Sequence, residues 1–173
     1  MFKNIIAYTK ELFTTGKKPE ARAQQPRIIS RDEHGINRRQ VSYEAIKTVR
    51  NLQEAGFEAY VVGGAVRDLM LGVTPKDFDV VTNATPEQIK RCQRRAIIIG
   101  RRFRLVHVIF GREIIECSTF RALQGEGVEK DRFGRVISDN VFGEMWEDAA
   151  RRDFTINALY YNPTTEEVID YHN

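Results

Sequence analysis

Two aspartates one residue apart, Asp77 and Asp79, are the first residues whose types and spacing suggest chemistry. On an extended segment alternate side chains project to one face, so the two carboxylates would stand together while Phe78 faces the core. Two such charges repel unless a cation lies between them. Carboxylate oxygens are the hard ligands magnesium prefers, and magnesium completes its shell with water and substrate phosphates. Alone, Asp-x-Asp fits an exposed strand end equally well. The context lies about a dozen residues upstream, in Gly63-Gly64-Ala65-Val66-Arg67-Asp68. Paired glycines after a strand allow unusual backbone angles and close approach of a phosphate. A helix start offers unpaired amides and a positive dipole end to an anion, and Arg67 adds a fixed charge in the first turn. A third segment is Arg151-Arg152-Asp153-Phe154-Thr155-Ile156-Asn157-Ala158. If helical, it puts Asp153 and Asn157 on one face at i,i+4 spacing with Arg152 nearby, and lets Phe154, Ile156 and Leu159 pack into the core. Each segment has an ordinary structural explanation: a strand end, a strand-turn-helix corner, a salt-bridged helix. The first two together are more telling, because they place a phosphate cradle about a dozen residues before a metal-binding carboxylate pair.

These residues need a frame. A helix over 42–55 is predicted from the Ser42 cap, from Ala45, Ile46, Val49 and Leu52 on one face, and from the stop at Gly56. Residues 57–62 read as a strand, and the glycine pair turns it into a helix over 65–71. A second strand covers 78–81. Thr85-Pro86-Glu87-Gln88 starts a helix with a capping box. Residues 96–99, 105–110 and 113–120 read as strands, the last two a hairpin turning at Gly111-Arg112. Residues 124–140 read as a surface loop, 142–158 as largely helical, and 159–161 with 168–171 as a last strand pair. Helices and strands mix without strict alternation, which points to an α+β fold with a mixed sheet.

The bulk properties fit one domain. The chain has 173 residues, 42% of them hydrophobic, enough to bury a core. No apolar run approaches the roughly 20 residues of a membrane span, and the start does not read as a secretory leader. Cys92 and Cys117 lack CxxC spacing and are expected to be reduced thiols of a cytosolic protein. His34, His107 and His172 are scattered, so no zinc site is expected. Charge is uneven. Residues 1–40 hold nine Lys/Arg against four Asp/Glu, whereas 41–173 hold eighteen against twenty. Residues 1–27 are therefore expected to form a basic, flexible arm, with a short amphipathic helix in the first dozen residues and a linker over 14–26. Seven basic residues and no acid fall between Lys90 and Arg104. They fit either an RNA-backbone track with salt-sensitive binding or a solvated helix face. His107 and Trp146 are expected to be packing residues.

The order Gly63-Gly64-Ala65-Val66-Arg67-Asp68, Lys76-Asp77-Phe78-Asp79 and Arg152-Asp153-Phe154-Thr155-Ile156-Asn157-Ala158 resembles the class II nucleotidyltransferase family. That family includes the bacterial poly(A) polymerases and the CCA-adding tRNA nucleotidyltransferases. The resemblance covers residues 28–173. Residues 29–36, 75–80, 82–88 and 100–108 are more similar to the bacterial poly(A) polymerases than to the CCA-adding branch.

The resemblance implies a polymerase-beta-like head, an α+β fold whose mixed sheet is flanked by helices, over 28–173. The neck, body and tail domains of the family are expected to lie outside this sequence. It implies template-independent addition of adenylate from ATP to RNA 3′ ends, with pyrophosphate release. Magnesium, or manganese in its place, would sit at Asp77 and Asp79. Gly63, Gly64 and Arg67 would hold phosphate oxygens, Arg152 and Asp153 would line the nucleotide pocket, and Asn157 would contact sugar or phosphate. A third carboxylate has two candidates, Glu116 on a strand over 114–118 and Asp153. Asp153 is favoured as catalytic, Glu116 as the nearer metal neighbour. Two rivals stand beside this reading: CCA addition to tRNA by the same head, and a non-catalytic nucleotide- or RNA-binding protein. The expected location is the cytoplasm.

Overall fold

The computed structural model describes residues 25–101, 103–123 and 141–173, and the backbone of 129–130 and 136–138. The expected N-terminal helix, most of the linker before residue 27, Arg102 and much of the loop over 124–140 lie outside the described residues.

Strand β1 (Arg27–Ile29) leads into one helical turn, α1 (Arg31–His34), which ends at Gly35. A 3-10 turn (Arg38–Gln40) precedes α2 (Tyr43–Glu54). Ser42 caps α2 by accepting from the Ala45 amide at 3.0 Å. Ala45, Thr48, Val49 and Leu52 recur at three- and four-residue steps and are buried. Next come β2 (Ala59–Val62), α3 (Gly64–Met70), β3 (Asp79–Thr82) and α4 (Pro86–Cys92). The Thr85–Gln88 capping box forms as predicted. Strands β4 (Ala96–Ile99), β5 (Leu105–Phe110) and β6 (Glu113–Thr119) follow. A short pair, β7 (Glu129–Lys130) with β8 (Val136–Ser138), stands where the sequence predicts only loop. The chain closes with α5 (Met145–Ala150), a 3-10 turn (Thr155–Asn157), β9 (Leu159–Asn162) and β10 (Glu167–Asp170).

Eight strands form one sheet in the order β1-β10-β9-β2-β3-β6-β5-β4. All neighbours are antiparallel except β3 and β6. With helices packed against it, this is the mixed α+β sheet the sequence suggests. Strand alternation divides the apolar residues between two faces. Ala59, Val61, Val80, Leu159 and Tyr161 join residues of α2, α3 and α4 in the larger core. Val62, Val81 and Tyr160 turn the other way and pack with Phe120, Met145, Ala149 and Ala158.

The predicted helix over 142–158 is shorter at both ends. At its start, the backbone of 141–143 is bonded to 120–122, with Gly143 N–H on the Phe120 carbonyl at 3.0 Å. A Cβ on Gly143 would stand 2.6 Å from the Ala122 backbone, so only glycine fits this crossing. At its end, α5 closes at Ala150 with Arg151 as its cap, residues 152–154 are not helical, and Phe154 is extended. The i,i+4 face proposed for Asp153 and Asn157 therefore does not exist. Phe154 and Ile156 are exposed, not packed, and only Leu159 of that trio is buried. Trp146 is half-buried on α5.

Cys92 and Cys117 are unpaired. Burial pushes both thiols up, the deeply buried Cys117 far more. Among the described residues no helix is long and apolar enough to cross a membrane.

Candidate active site

Asp79, Glu116 and Arg152 come together on the face of the sheet that carries the smaller core. The antiparallel register pairs Val62 with Asp79, the parallel register sets Glu116 beside Asp79, and the next strand sets His107 opposite Glu116. Three adjacent strands thus present Asp79, Glu116 and His107 side by side. His107 Nε2 lies 3.3 Å from Glu116 Oε1, so this partly buried strand histidine also makes a polar contact at the site.

Asp77 differs from the sequence expectation. The strand begins at Asp79, and Asp77 is an exposed residue just before it. Strand periodicity alone therefore does not align the two carboxylates. Their fields still meet. Asp79 reaches solvent at its surface but is flanked by protein, and burial holds its carboxyl above the ordinary range. Glu116 and then Asp77 push it in the same direction, and Arg152 opposes. Phe78 packs against the larger core, as its place between the two acids suggests.

The glycine corner begins one residue after the Val62–Asp79 pair. Gly63 is buried with φ 79°, a conformation L side chains rarely adopt. Its carbonyl accepts from the Val66 and Arg67 amides at 3.1 and 3.3 Å. The amides ahead of them, at Gly64 and Ala65, belong to the unpaired start of a helix. Arg67 is held in place: Nη1 donates to Asn157 Oδ1 at 2.8 Å and Nε to Asp68 Oδ1 at 2.9 Å.

Arg152 joins the corner to the carboxylates. Its Nη1 lies 3.4 Å from the Asn157 carbonyl. Nε and Nη2 donate to Asp148 Oδ2 at 3.1 and 2.9 Å, and the Tyr160 hydroxyl donates to the same oxygen at 2.9 Å. Burial works against the guanidinium charge, but Asp148 and then Tyr160 outweigh it, and the group sits above its ordinary value. Tyr160 is itself pushed up, first by burial and then by Asp148.

A cavity of about 150 Å³ is lined by Val62, Asp79, Leu105, Glu116, Ser118 and Arg152. A second, of about 280 Å³, shares Leu105, Ser118 and Arg152 and adds Arg121, Asp148, Arg151 and Asp153. An acid-lined hollow therefore runs into an arginine-lined one. Glu116 borders the first; Asp153, exposed, borders the second.

The donor set suits a hard divalent cation. Among the described residues no three of His, Cys, Asp and Glu close into a ready-made metal cage. Magnesium does not need one, because it is commonly held by one or two carboxylates while waters and substrate phosphates complete the shell. A carboxyl raised by burial and by two acidic neighbours is the group a cation would relieve.

Sequence reasoning missed Asp148 and Tyr160. Asp148 stands four residues before Arg152, a spacing that pairs charges on helices. That signal was readable, but the Asp153–Asn157 pair has the same spacing and competes with it. Among its described residues, the basic run over 90–104 is divided between different surroundings. Arg104 pairs with Glu87, Arg91 Nε donates to the Glu87 carbonyl, and Arg94 and Arg95 line a cavity under the opposite face.

Comparison with known proteins gives the family. Residues 59–173 match the family model described as the poly A polymerase head domain. Poly(A) polymerase I of Salmonella typhi is 46% identical across 99% of this chain and 39% of its own length. Poly(A) polymerase I of Haemophilus influenzae is 48% identical across 90% of this chain and 36% of its own. The chain thus spans little more than a third of these curated relatives. Among solved structures, the Bacillus stearothermophilus CCA-adding enzyme in complex with CTP superposes with a TM-score of 0.57 at 31% identity, over 73% of this chain and 29% of that one. With its mixed sheet, glycine corner and acidic strand pair, the chain belongs to the poly A polymerase head domain family of nucleotidyltransferases.

Proposed function

We propose that this chain is the head, over residues 28–173, of a template-independent RNA nucleotidyltransferase that adds adenylate from ATP to RNA 3′ ends in the cytoplasm. The observation that carries the reading is the parallel register that puts Glu116 beside Asp79, in a cavity that Arg152 also lines, next to the glycine corner. Poly(A) polymerase I relatives across nearly the whole chain support adenylate as the product.

In the proposed reaction the RNA 3′-oxygen bonds to the α-phosphorus of ATP. The α–β phosphoanhydride bond breaks, pyrophosphate leaves with the bond's electrons, and the hydroxyl proton passes to solvent. Asp77 and Asp79, with Glu116 alongside, would hold magnesium or manganese, which would lower the pKa of the attacking hydroxyl and neutralise charge on the triphosphate. Gly63, Gly64 and Arg67 offer amides and a positive charge to phosphate oxygens. Arg152 is oriented by Asp148 and Tyr160 before any nucleotide arrives, so its charge does not need to be ordered on binding. Asp153 and Asn157 border the nucleotide side, Asp153 from the arginine-lined cavity and Asn157 through its bond to Arg67.

Calorimetry tests this. ATP should bind with magnesium, lose most of its affinity in chelator, and bind at least tenfold more weakly to Asp77→Asn and Asp79→Asn. Chelator-insensitive binding would turn the reading toward a non-catalytic nucleotide-binding protein. The likeness to a CCA-adding enzyme favours one rival, CCA addition. Incorporation of CTP and ATP into tRNA lacking its 3′ end, against ATP alone into generic RNA, separates the two.

A further inference from the structure

The helix-covered face, opposite the carboxylates, carries basic side chains drawn from three separate stretches of chain. Arg38 and Arg39 come from the 3-10 turn before α2, Lys47 from α2 itself, and Arg94 and Arg95 from the bend between α4 and β4. They line two hollows. One, of about 530 Å³, holds Arg38 and Arg39 with Tyr43 and Ile46 of α2. The other, of about 300 Å³, holds Lys47, Arg94 and Arg95 over an apolar floor that includes Val108 and Phe110. Helix α2 joins them. Tyr43 lines the first, Lys47 the second, and the Lys47 ammonium lies 5.7 Å from the centre of the Tyr43 ring.

Three observations set this track apart from an ordinary solvated surface. Arg38, Arg39, Arg94 and Arg95 are exposed, and none has a carboxylate partner among the described residues. The neighbouring acids are largely spoken for: Glu166 pairs with Arg31 at 3.2 Å and Glu54 with Arg50 at 3.5 Å, leaving Glu44. Tyr43 leaves 63% of its surface in solvent, in the middle of the cations. A basic groove interrupted by an exposed aromatic ring is the arrangement that holds single-stranded nucleic acid. Phosphates meet the cations while a base stacks on the ring, whatever its identity.

We propose that Arg38, Arg39, Tyr43, Lys47, Arg94 and Arg95 form a second RNA-holding surface on the back of the head, which binds single-stranded RNA independently of the carboxylate site. It needs neither metal nor ATP, because none of its groups touches the catalytic cavity. A polyanion of another kind would satisfy the cations but not the ring.

The test is fluorescence anisotropy with a labelled single-stranded oligonucleotide and the whole chain in chelator, across a salt series. Wild type should bind with a steep salt dependence. The variant Arg38→Ala/Arg39→Ala/Arg94→Ala/Arg95→Ala should bind at least tenfold more weakly at low salt. Its slope should be shallower by about 2.8, which is about 0.7 for each of the four phosphates no longer neutralised. The corresponding four Arg→Lys changes should keep most of the slope. Tyr43→Ala should weaken RNA by about tenfold and leave an abasic chain of the same length unaffected. An unchanged slope in the quadruple variant, or equal competition by polyglutamate, overturns the proposal. Magnesium-dependent ATP binding by the same variants, measured in parallel, shows whether the catalytic reading stands or falls separately.

Discussion

The two faces of the sheet solve opposite problems. One face is dry: α2, α3 and α4 cover it, and Val49, Leu52, Ala59, Val61 and Val80 are all fully buried there. The other is covered by α5 and the aromatic cluster of Tyr60, Phe120 and Tyr160 over β9 and β2, and lies open over β3, β6 and β5. The strands are the same on both sides. Alternation alone separates a core that holds the fold from a row of charged groups that would destabilise it if buried. The open face needs the closed one, because only a rigid sheet keeps Asp79 and Glu116 side by side against their mutual repulsion.

Damage to each face therefore reads out differently. The largest effect is expected at Leu52, a fully buried residue of α2. Leu52→Ala should cost about 4 kcal/mol, in the upper part of the range for a rigid site that collapses poorly. Once corrected for the folded fraction, metal-dependent ATP binding should be unchanged. Denaturant midpoints and calorimetry on the same samples check both halves, and a loss of intrinsic affinity would show that the faces are coupled.

Asp148 is the exception that sharpens the comparison. It belongs to the open face but is buried, and it holds Arg152, Tyr160 and the Arg121 amide. Asp148→Ala leaves a largely buried guanidinium without its partner. Such changes cost about 3–5 kcal/mol, and about 3 is expected here, because Arg152 keeps 24% of its side chain in solvent. The melting temperature should fall by roughly 6–12 °C. Unlike Leu52→Ala, this change should also weaken ATP binding, because Arg152 is no longer oriented. A destabilised variant with intact affinity would remove Arg152 from the nucleotide site.

The closed face was largely legible in the sequence. The spacing of Ala45, Val49 and Leu52, the Ser42 and Thr85 caps and the hairpin at Gly111 are local signals, and local chemistry decides them. On the open face the glycine corner and the acids were visible as types, but their relation was not. Register decides that Glu116 stands beside Asp79, and register depends on residues far apart in the chain. The segment after Ala150 misled for the same reason. Its spacing allows a helix, but Asn157 reaches Arg67, 90 residues away, a contact no local pattern encodes, and the i,i+4 pair that forms is Asp148 with Arg152, not Asp153 with Asn157. The exposed position of Asp77, one step outside the strand, was equally invisible to periodicity.

The smallest effect tests the electrostatic half of the comparison directly. Asp79 is raised above its ordinary value of 3.8, by burial first and by Glu116 next. As pH rises past 3.8 the unfolded chain releases this proton before the folded one does. The folded state then binds more protons than the unfolded, so this group's contribution to stability falls with rising pH until the folded carboxyl has also ionised, and stays low above that. Asp79→Asn removes the penalty. Without divalent cation the variant should therefore unfold at slightly higher denaturant than wild type at about pH 7, and the advantage should shrink toward zero as pH falls to about 4. Added magnesium should invert the order at neutral pH, because a ligand that binds only the folded state stabilises it and the amide offers that ligand less charge. If magnesium raises both midpoints equally, the open face is not where the cation sits, and the row of acids would have to be explained without it.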